Sequence, residues 1–180
     1  MPINAESVNP SEQQLKSLLQ SFQKGRLAEA EASALSLIKK FPAHPFSWKV
    51  LAAIFGQTGR KSDAINAMQK VVQLSQQDYN SHVNLTNMLR DAGRFEEAIV
   101  SCQKAIELNP DFAETHNDLG MILQQLGRFE EAAVSYGQAI ALNTYFADAY
   151  SNRASALRAL GRLEEAEKNC RKVIELEPQF

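Results

Sequence analysis

The sequence predicts an all-α fold, a solenoid of five helix-turn-helix repeats with about ten antiparallel helices. The dipeptide Gly-Arg recurs every 34 residues (59 − 25 = 34, and so on to 161 − 127), and an alanine follows each glycine by five residues. No alternating pattern typical of a strand interrupts this register. The repeated residues are Gly25, Gly59, Gly93, Gly127 and Gly161, with Ala30, Ala64, Ala98, Ala132 and Ala166.

Each Gly-Arg pair is predicted to be the turn between the two helices of a repeat. Glycine ends a helix readily because it adopts the left-handed conformation without a Cβ clash. Paired glutamates such as Glu130 and Glu131 follow within the first turn of the next helix, where a carboxylate meets the positive end of the helix dipole. The small alanine allows the two helices to approach closely.

The helices can be placed in chain order from this period. Asn9, Pro10 and Glu12 resemble a helix start, with Asn9 as the cap, and Asp111 with Glu114 gives the fourth repeat a capping-box-like start. The predicted helices are 10–24, 27–41, 45–58, 61–74, 79–92, 95–108, 113–126, 129–142, 147–160 and 163–176.

Composition sets the class of protein. The chain has 180 residues, of which 44% are hydrophobic and 22% charged, and its net charge is −2. We therefore expect a single ordered domain over residues 1–180, and no nucleic-acid or membrane partner, since a basic surface is missing. Residues 1–8 lack the features of a secretory or transit peptide, so the expected location is cytoplasmic. The repeats are 11–44, 45–78, 79–112, 113–146 and 147–180, with 1–10 as a lead-in.

The residues that could carry chemistry are better explained by packing. Cys102 and Cys170 share the twenty-fourth repeat position and are interpreted as small core residues, too far apart for a disulfide. His82 and His116 share the fourth position and are expected to pack between helices rather than to bind metal. Consecutive glutamates diverge by about 100° on a helix and make no catalytic pair. We predict a non-enzyme without cofactor or metal.

The repeat resembles the tetratricopeptide repeat (TPR) family, whose pattern is W-x2-L-G-x2-Y, then A-x3-F, then P. The residues that carry the resemblance include Trp48, Leu51 and Phe55 in repeat two and Leu119, Gly120, Ala132 and Tyr136 in repeat four. The resemblance covers residues 11–180 and implies a right-handed superhelix. It also implies that the first helices line a concave groove that binds an extended peptide or a partner protein.

In the TPR family the second, fifth, sixth, ninth, twelfth and thirteenth positions face that groove. Among them Asn84 and Asn152 recur at the sixth position with Asp118 between, and we expect a ladder of groups that bond to a peptide backbone. The groove residues predicted from the resemblance are Lys49, Asn84, Asn87, Arg90, Asn117, Asp118, Met121, Gln124, Asn152, Ser155 and Arg158.

One TPR binding mode does not fit. The clamp that holds the carboxylates of chaperone tails is matched by Lys49 and Asn84. Ala53, Glu114 and Asp118 break the pattern, and the last two place negative charge where a carboxylate would dock.

A finer resemblance is to the TPR region of O-linked N-acetylglucosamine transferases and their SPINDLY-like bacterial relatives. It is carried by the phrases 81–85, 115–120 and 149–153 and by the repeated Gly-Arg-(Phe/Leu)-Glu-Glu-Ala turn. The opening 41–51 resembles bacterial proteins that join TPRs to a glycosyltransferase or sulfotransferase. This implies a substrate-recruiting region as an alternative to a free-standing scaffold.

Two local features complete the expectations. Arg153 takes the seventh position, where Leu51, Leu85 and Leu119 stand elsewhere, so its stem should pack while its guanidinium reaches water or an acidic neighbour. The last helix, with Val173, Ile174 and Leu176, and Phe180 beyond it, lacks a polar cap. We therefore expect a longer array, or self-assembly into a homo-oligomer through that face.

Overall fold

The computed structural model describes residues 9–178, and these form ten α-helices without a strand. Each predicted helix is present, and its ends agree with the prediction to within two residues. Phe180, which was expected to precede a further repeat, lies outside the described residues. The helices are α1 Glu12–Gln23, α2 Leu27–Lys40, α3 Pro45–Gln57, α4 Lys61–Leu74, α5 Tyr79–Asp91, α6 Phe95–Leu108, α7 Ala113–Gln125, α8 Phe129–Leu142, α9 Ala147–Ala159 and α10 Leu163–Leu176.

The Gly-Arg turns have the predicted left-handed glycines. All five repeat glycines have φ between 70° and 76°. At Gly93 the glycine N–H donates to the carbonyl of Arg90 over 2.9 Å, and the N–H of Arg94 donates to the carbonyl of Leu89 over 2.9 Å. This pair of bonds is the Schellman motif, which satisfies carbonyls at the end of the first helix.

The arginine of each turn has a role that the sequence analysis missed. Arg94 donates two hydrogen bonds of 2.7 Å to the carboxylate of Glu97, and the same two-bond contact joins Arg162 to Glu165. The arginine is the N-cap residue, and the acceptor is the second glutamate of the pair. These hydrogen bonds lower the pKa of Glu97 and Glu165 below their ordinary values. The second glutamate is thus tied to the turn as well as to the helix dipole.

The chain divides into two compact units, the first up to Ser81 and the second from His82. In the first unit α1 packs on α2, α2 on α3 and α3 on α4. The predicted start of α1 is wrong, because Ser11, not Asn9, is the N-cap: its hydroxyl accepts from Gln14 N over 3.3 Å, and Gln14 Oε1 accepts from Ser11 N. The buried core of this unit includes Leu18, Leu51, Ile54, Phe55 and Ile65.

In the second unit α6 packs on α7, α7 on α8, α8 on α9 and α9 on α10. The capping box expected from Asp111 does not form: Phe112 is the N-cap of α7, and no side chain caps the helix. The repeat alanines Ala98, Ala132 and Ala166 are buried, as their predicted close-approach role requires. The largest fully buried side chains here include Leu89, Ile122, Tyr136 and Leu157.

Candidate functional site

The predicted groove residues of the second unit lie on its first helices, α5, α7 and α9. We call this set the first-helix surface. Because they recur at intervals of three residues or so, these side chains share one side of each helix. The surface consists of Asn84, Asn87 and Arg90 on α5, Asn117, Asp118, Met121 and Gln124 on α7, and Asn152, Ser155 and Arg158 on α9.

An ion pair joins the first two helices of this surface. Arg90 Nη1 lies 3.3 Å from Asp118 Oδ1, and the two side chains are 28% and 23% exposed. Burial raises the pKa of Asp118, and the charge of Arg90 offsets part of that effect. The carboxylate of Asp118 therefore already accepts a hydrogen bond from Arg90, and the positive charge of Arg90 neutralises it.

The thiol of Cys102 lies near this pair. It donates to the carbonyl oxygen of Thr115 on α7 over 3.4 Å and is fully buried. Burial, with the negative charge of Asp118 adding to it, raises the pKa of Cys102 to about 12. A thiol with so high a pKa is unreactive at neutral pH, in keeping with its predicted packing role.

An amide pair joins α7 to α9. Asn152 Nδ2 donates to Asn117 Oδ1 over 3.1 Å, and Asn117 is buried whereas Asn152 is half-buried. This bond orients the side-chain amide of Asn152 through its nitrogen and does not use its Oδ1. Two of the three predicted ladder positions, Asp118 and Asn152, are thus bonded to a neighbouring helix, while the Asn84 side chain is exposed.

The remaining residues of the surface differ in exposure. Gln124 Oε1 accepts a hydrogen bond from the Tyr136 hydroxyl over 3.3 Å. Arg158 is exposed, whereas the half-buried residues are Asn87, Met121 and Ser155.

Lys49, the predicted groove residue of the first unit, is already paired. Its Nζ donates to the carboxylate of Asp78, which also accepts from the Ser81 hydroxyl over 2.7 Å. The hydrogen bond from Lys49, followed by that from Ser81, lowers the pKa of Asp78. Because Lys49 is neutralised by Asp78, the clamp-like lysine is not a free cation.

His82 is buried, as its predicted packing role requires, whereas the rings of Trp48 and His116 bond to backbone carbonyls. Trp48 Nε1 donates to the carbonyl of Pro42 over 3.1 Å, and His116 Nε2 lies 2.8 Å from the carbonyl of Pro110. In both cases the ring bonds to the end of the preceding repeat. Across residues 9–178, no three His, Cys, Asp or Glu side chains are grouped so that they could hold a metal ion.

One sequence expectation is corrected here. Cys170 is exposed rather than buried. In α6 the thiol of Cys102 contacts α7, the next helix along the chain, whereas no described helix follows α10. Arg153 is half-buried, and its Nε is buried without a hydrogen-bond partner, while its charge helps to lower the pKa of Glu165 in the cleft that both residues line. Two features of the sequence relate to the surroundings of Arg153: it stands at a position where other repeats have leucine, and Gly137 lies in the preceding helix.

The geometry defines an α-helical repeat protein with a polar surface along its first helices. The family described as TPR repeat matches residues 87–127 and 122–158, and that described as tetratricopeptide repeat matches 21–79 and 147–180. Together these matches span well over half of the chain. The chain belongs to the tetratricopeptide repeat family.

Solved structures share this fold. A MamA protein is 22% identical, with a TM-score of 0.83 over 94% of each chain. MamA from Desulfovibrio magneticus RS-1 is 14% identical, with a TM-score of 0.80 over 93% of this chain and 94% of that one. YrrB, described as a TPR protein with an unusual peptide-binding site, is 17% identical, with a TM-score of 0.83 over 97% of this chain and 90% of that one. No curated protein matches the sequence.

None of the helices within residues 9–178 combines the length and the apolar character needed to cross a membrane.

Proposed function

We propose that the chain is a non-catalytic interaction scaffold that binds an extended peptide, or an extended segment of a partner protein, along the first-helix surface. The observation that carries this proposal is the oriented amide of Asn152, which is half-exposed and held by Asn117 through a single 3.1 Å bond. Its oxygen and its second amide hydrogen can bond to the N–H and C=O of a peptide. Because the amide is held before the ligand arrives, little side-chain entropy is lost on binding.

The charges of the surface favour recognition of backbone over side chains. Arg90 and Asp118 neutralise each other, so the middle of the surface presents polar groups without a net charge. Asn84 and Asn87 supply further amides, and Arg158 is an exposed cation at one side. The peptide sequences accepted should therefore be broad, with a preference for an acidic group near Arg158. Peptide binding is also in keeping with the description of YrrB as a TPR protein with a peptide-binding site.

The experiment is a selection of random peptides on the purified protein, followed by calorimetric titration of a selected peptide. We expect Asn84→Ala with Asn152→Ala to weaken binding by about 1 to 3 kcal/mol, from lost bonds and unpaired peptide groups. N-methylation of the peptide backbone should weaken binding similarly, whereas alanine replacement of most peptide side chains should not. Unchanged affinity in the double variant would remove the surface from the mechanism. Lys104→Gln on α6, an exposed ion pair with Glu107, is the control.

Self-assembly is a second candidate, favoured by the exposed outer face of α10. Ile174 is 63% exposed and Cys170 is exposed, whereas Cys102 and Tyr136 at the position of Cys170 are fully buried. A second copy that covered α10 would bury this apolar area. Glu167 counts against this candidate. The equivalent repeat position holds Ile99 in α6 and Ala133 in α8, and both of these residues are buried.

Sedimentation equilibrium tests this candidate. Ile174→Glu should shift a dimer to a monomer, while Val100→Glu, at an equally exposed valine of α6, should not. A monomer at all concentrations in the unmodified protein would refute it.

The recruiting region of a bacterial glycosyltransferase-like or sulfotransferase-like enzyme is a further alternative, supported by the phrase 115–120. A reading frame that encodes a catalytic domain beside these repeats would favour it. We also propose a cytoplasmic location, supported by two free cysteines, which suit a reducing compartment. Cell fractionation tests that location.

A further inference from the structure

A cleft with a volume of about 400 Å³ lies between α9 and α10 of the fifth repeat. We call it the outer cleft. It is built from the fourth and seventh positions of the first helix and from the second helix, so it shares no residue with the first-helix surface. The outer cleft is lined by Tyr150, Arg153, Glu165, Lys168, Asn169 and Lys172.

The position of Arg153 depends on Gly137 in α8. A Cβ added at residue 137 would lie 3.7 Å from Arg153 Cζ and 3.8 Å from its Nε. The guanidinium therefore lies against the backbone of α8, in the space that a longer side chain at residue 137 would fill. The other four repeats have long side chains at that position, namely Leu35, Gln69, Gln103 and Arg171.

Arg153 brings hydrogen-bond donors that the protein leaves unused. Its Nε is buried without an acceptor, and among residues 9–178 it forms no ion pair. A buried donor without a partner is destabilising, and more so when it is charged. Glu165 also lines the cleft, and both of its oxygens accept 2.7 Å bonds from Arg162, but no hydrogen bond joins Glu165 to Arg153.

The outer cleft also has an excess of positive charge. Glu165 is compensated by Arg162, and Glu175 by Lys172 over 2.9 Å. Arg153 and Lys168 form no ion pair in the described part of the chain, although their charges help to lower the pKa of Glu165. Three cations and one carboxylate therefore line the cleft. The hydroxyl of Tyr150 is a further donor on the wall of the cleft.

We propose that the outer cleft binds the carboxylate of an acidic side chain of a peptide or protein partner. Arg153 is the anchor, because a guanidinium fork matches a carboxylate with two parallel bonds. Lys168 adds charge.

The probe is the peptide acetyl-Glu-Glu-Glu-amide, titrated by calorimetry and by the NMR resonance of the Arg153 side-chain Nε–Hε group. We expect a shift of that resonance on binding, and an affinity that falls as salt is added. Arg153→Leu should weaken binding at least tenfold and Lys168→Gln about threefold, because each removes an attraction that the carboxylate feels directly. Arg171→Gln, which removes the same charge from the exposed side of α10, should leave the affinity within about twofold.

Gly137→Gln provides a test in which Arg153 itself is not substituted. Glutamine stands at this position in repeats two and three, so the helix accepts it, but its side chain would displace the guanidinium. We expect it to weaken the peptide at least fivefold without lowering the Tm. The proposal is overturned if Arg153→Leu and Gly137→Gln weaken the peptide no more than Arg171→Gln does. It is also overturned if acetyl-Gln-Gln-Gln-amide binds as tightly as the glutamate peptide.

Discussion

The ring of Tyr136 in α8 occupies the space that a side chain at Gly120 in α7 would need. A Cβ added at residue 120 would lie 2.5 Å from Tyr136 Cε1 and 2.6 Å from Cδ1. Tyr136 is fully buried, and its hydroxyl bonds to Gln124 of the same helix α7. The fourth repeat thus pairs the smallest residue at position eight with the largest at position twenty-four.

Gly120→Ala should destabilise the protein, although alanine is ordinarily the better helix former. The clash forces a buried ring to move, and overpacking of this kind costs about 1 to 3 kcal/mol. Urea unfolding measures the change. The double variant Gly120→Ala, Tyr136→Met copies the buried Ala52 and Met68 of repeat two and should recover part of the loss. No recovery in the double-mutant cycle would show that the clash is not the cause.

Asn152→Ala should lower the free energy of unfolding by about 1 kcal/mol, because buried Asn117 loses the donor that satisfies its Oδ1. Asn84→Ala, at an exposed amide, should change it by less than about 0.5 kcal/mol. Chemical denaturation of the two single variants makes the comparison. Equal effects would mean that the Asn117 to Asn152 bond adds nothing to stability.

Gly127→Ala should cost about 1 to 2 kcal/mol, since φ is +73° at this turn and an L side chain is strained there although the space around it is open. Gly56→Ala is the matched control. It lies inside α3 with open space around it, and should stabilise by up to about 1 kcal/mol. Thermal unfolding distinguishes the two, and a Gly127→Ala variant as stable as Gly56→Ala would contradict the backbone argument.

The pair of Asp78 and Lys49 should make stability depend on acid pH. Hydrogen bonds from Lys49 and Ser81 lower the pKa of Asp78 in the folded protein. The stabilisation is therefore present above the unfolded pKa of about 4 and is lost as pH falls through the lower folded pKa. It should amount to less than about 1 kcal/mol, because the pair is partly exposed.

Denaturation of the protein and of Asp78→Asn at pH 7 and at about pH 2.5 provides the measurement. The difference in stability between the two proteins should shrink at the lower pH. A constant difference would exclude the titration of Asp78 as its source.

Several partners could not be read from the sequence because they depend on which helix lies alongside. The groove position predicted for Arg90 does not reveal its pairing with Asp118, 28 residues away on another helix. Asn117 and Asn152 are 35 residues apart and at different repeat positions, so the period alone does not bring them together. The environment of Arg153 is set by Gly137 in another repeat, which the repeat position of Arg153 alone does not reveal.

The sequence by itself determined the period, the ten helices and the turns between them. These depend on local physics: a glycine that tolerates positive φ ends one helix, and apolar spacing of three and four residues continues the next. The tertiary structure alone decided which polar groups have a hydrogen-bond partner and which do not. That outcome depends on distances of a few ångströms between side chains of different helices, such as the buried, unpartnered Nε of Arg153, and helix periodicity does not fix those distances.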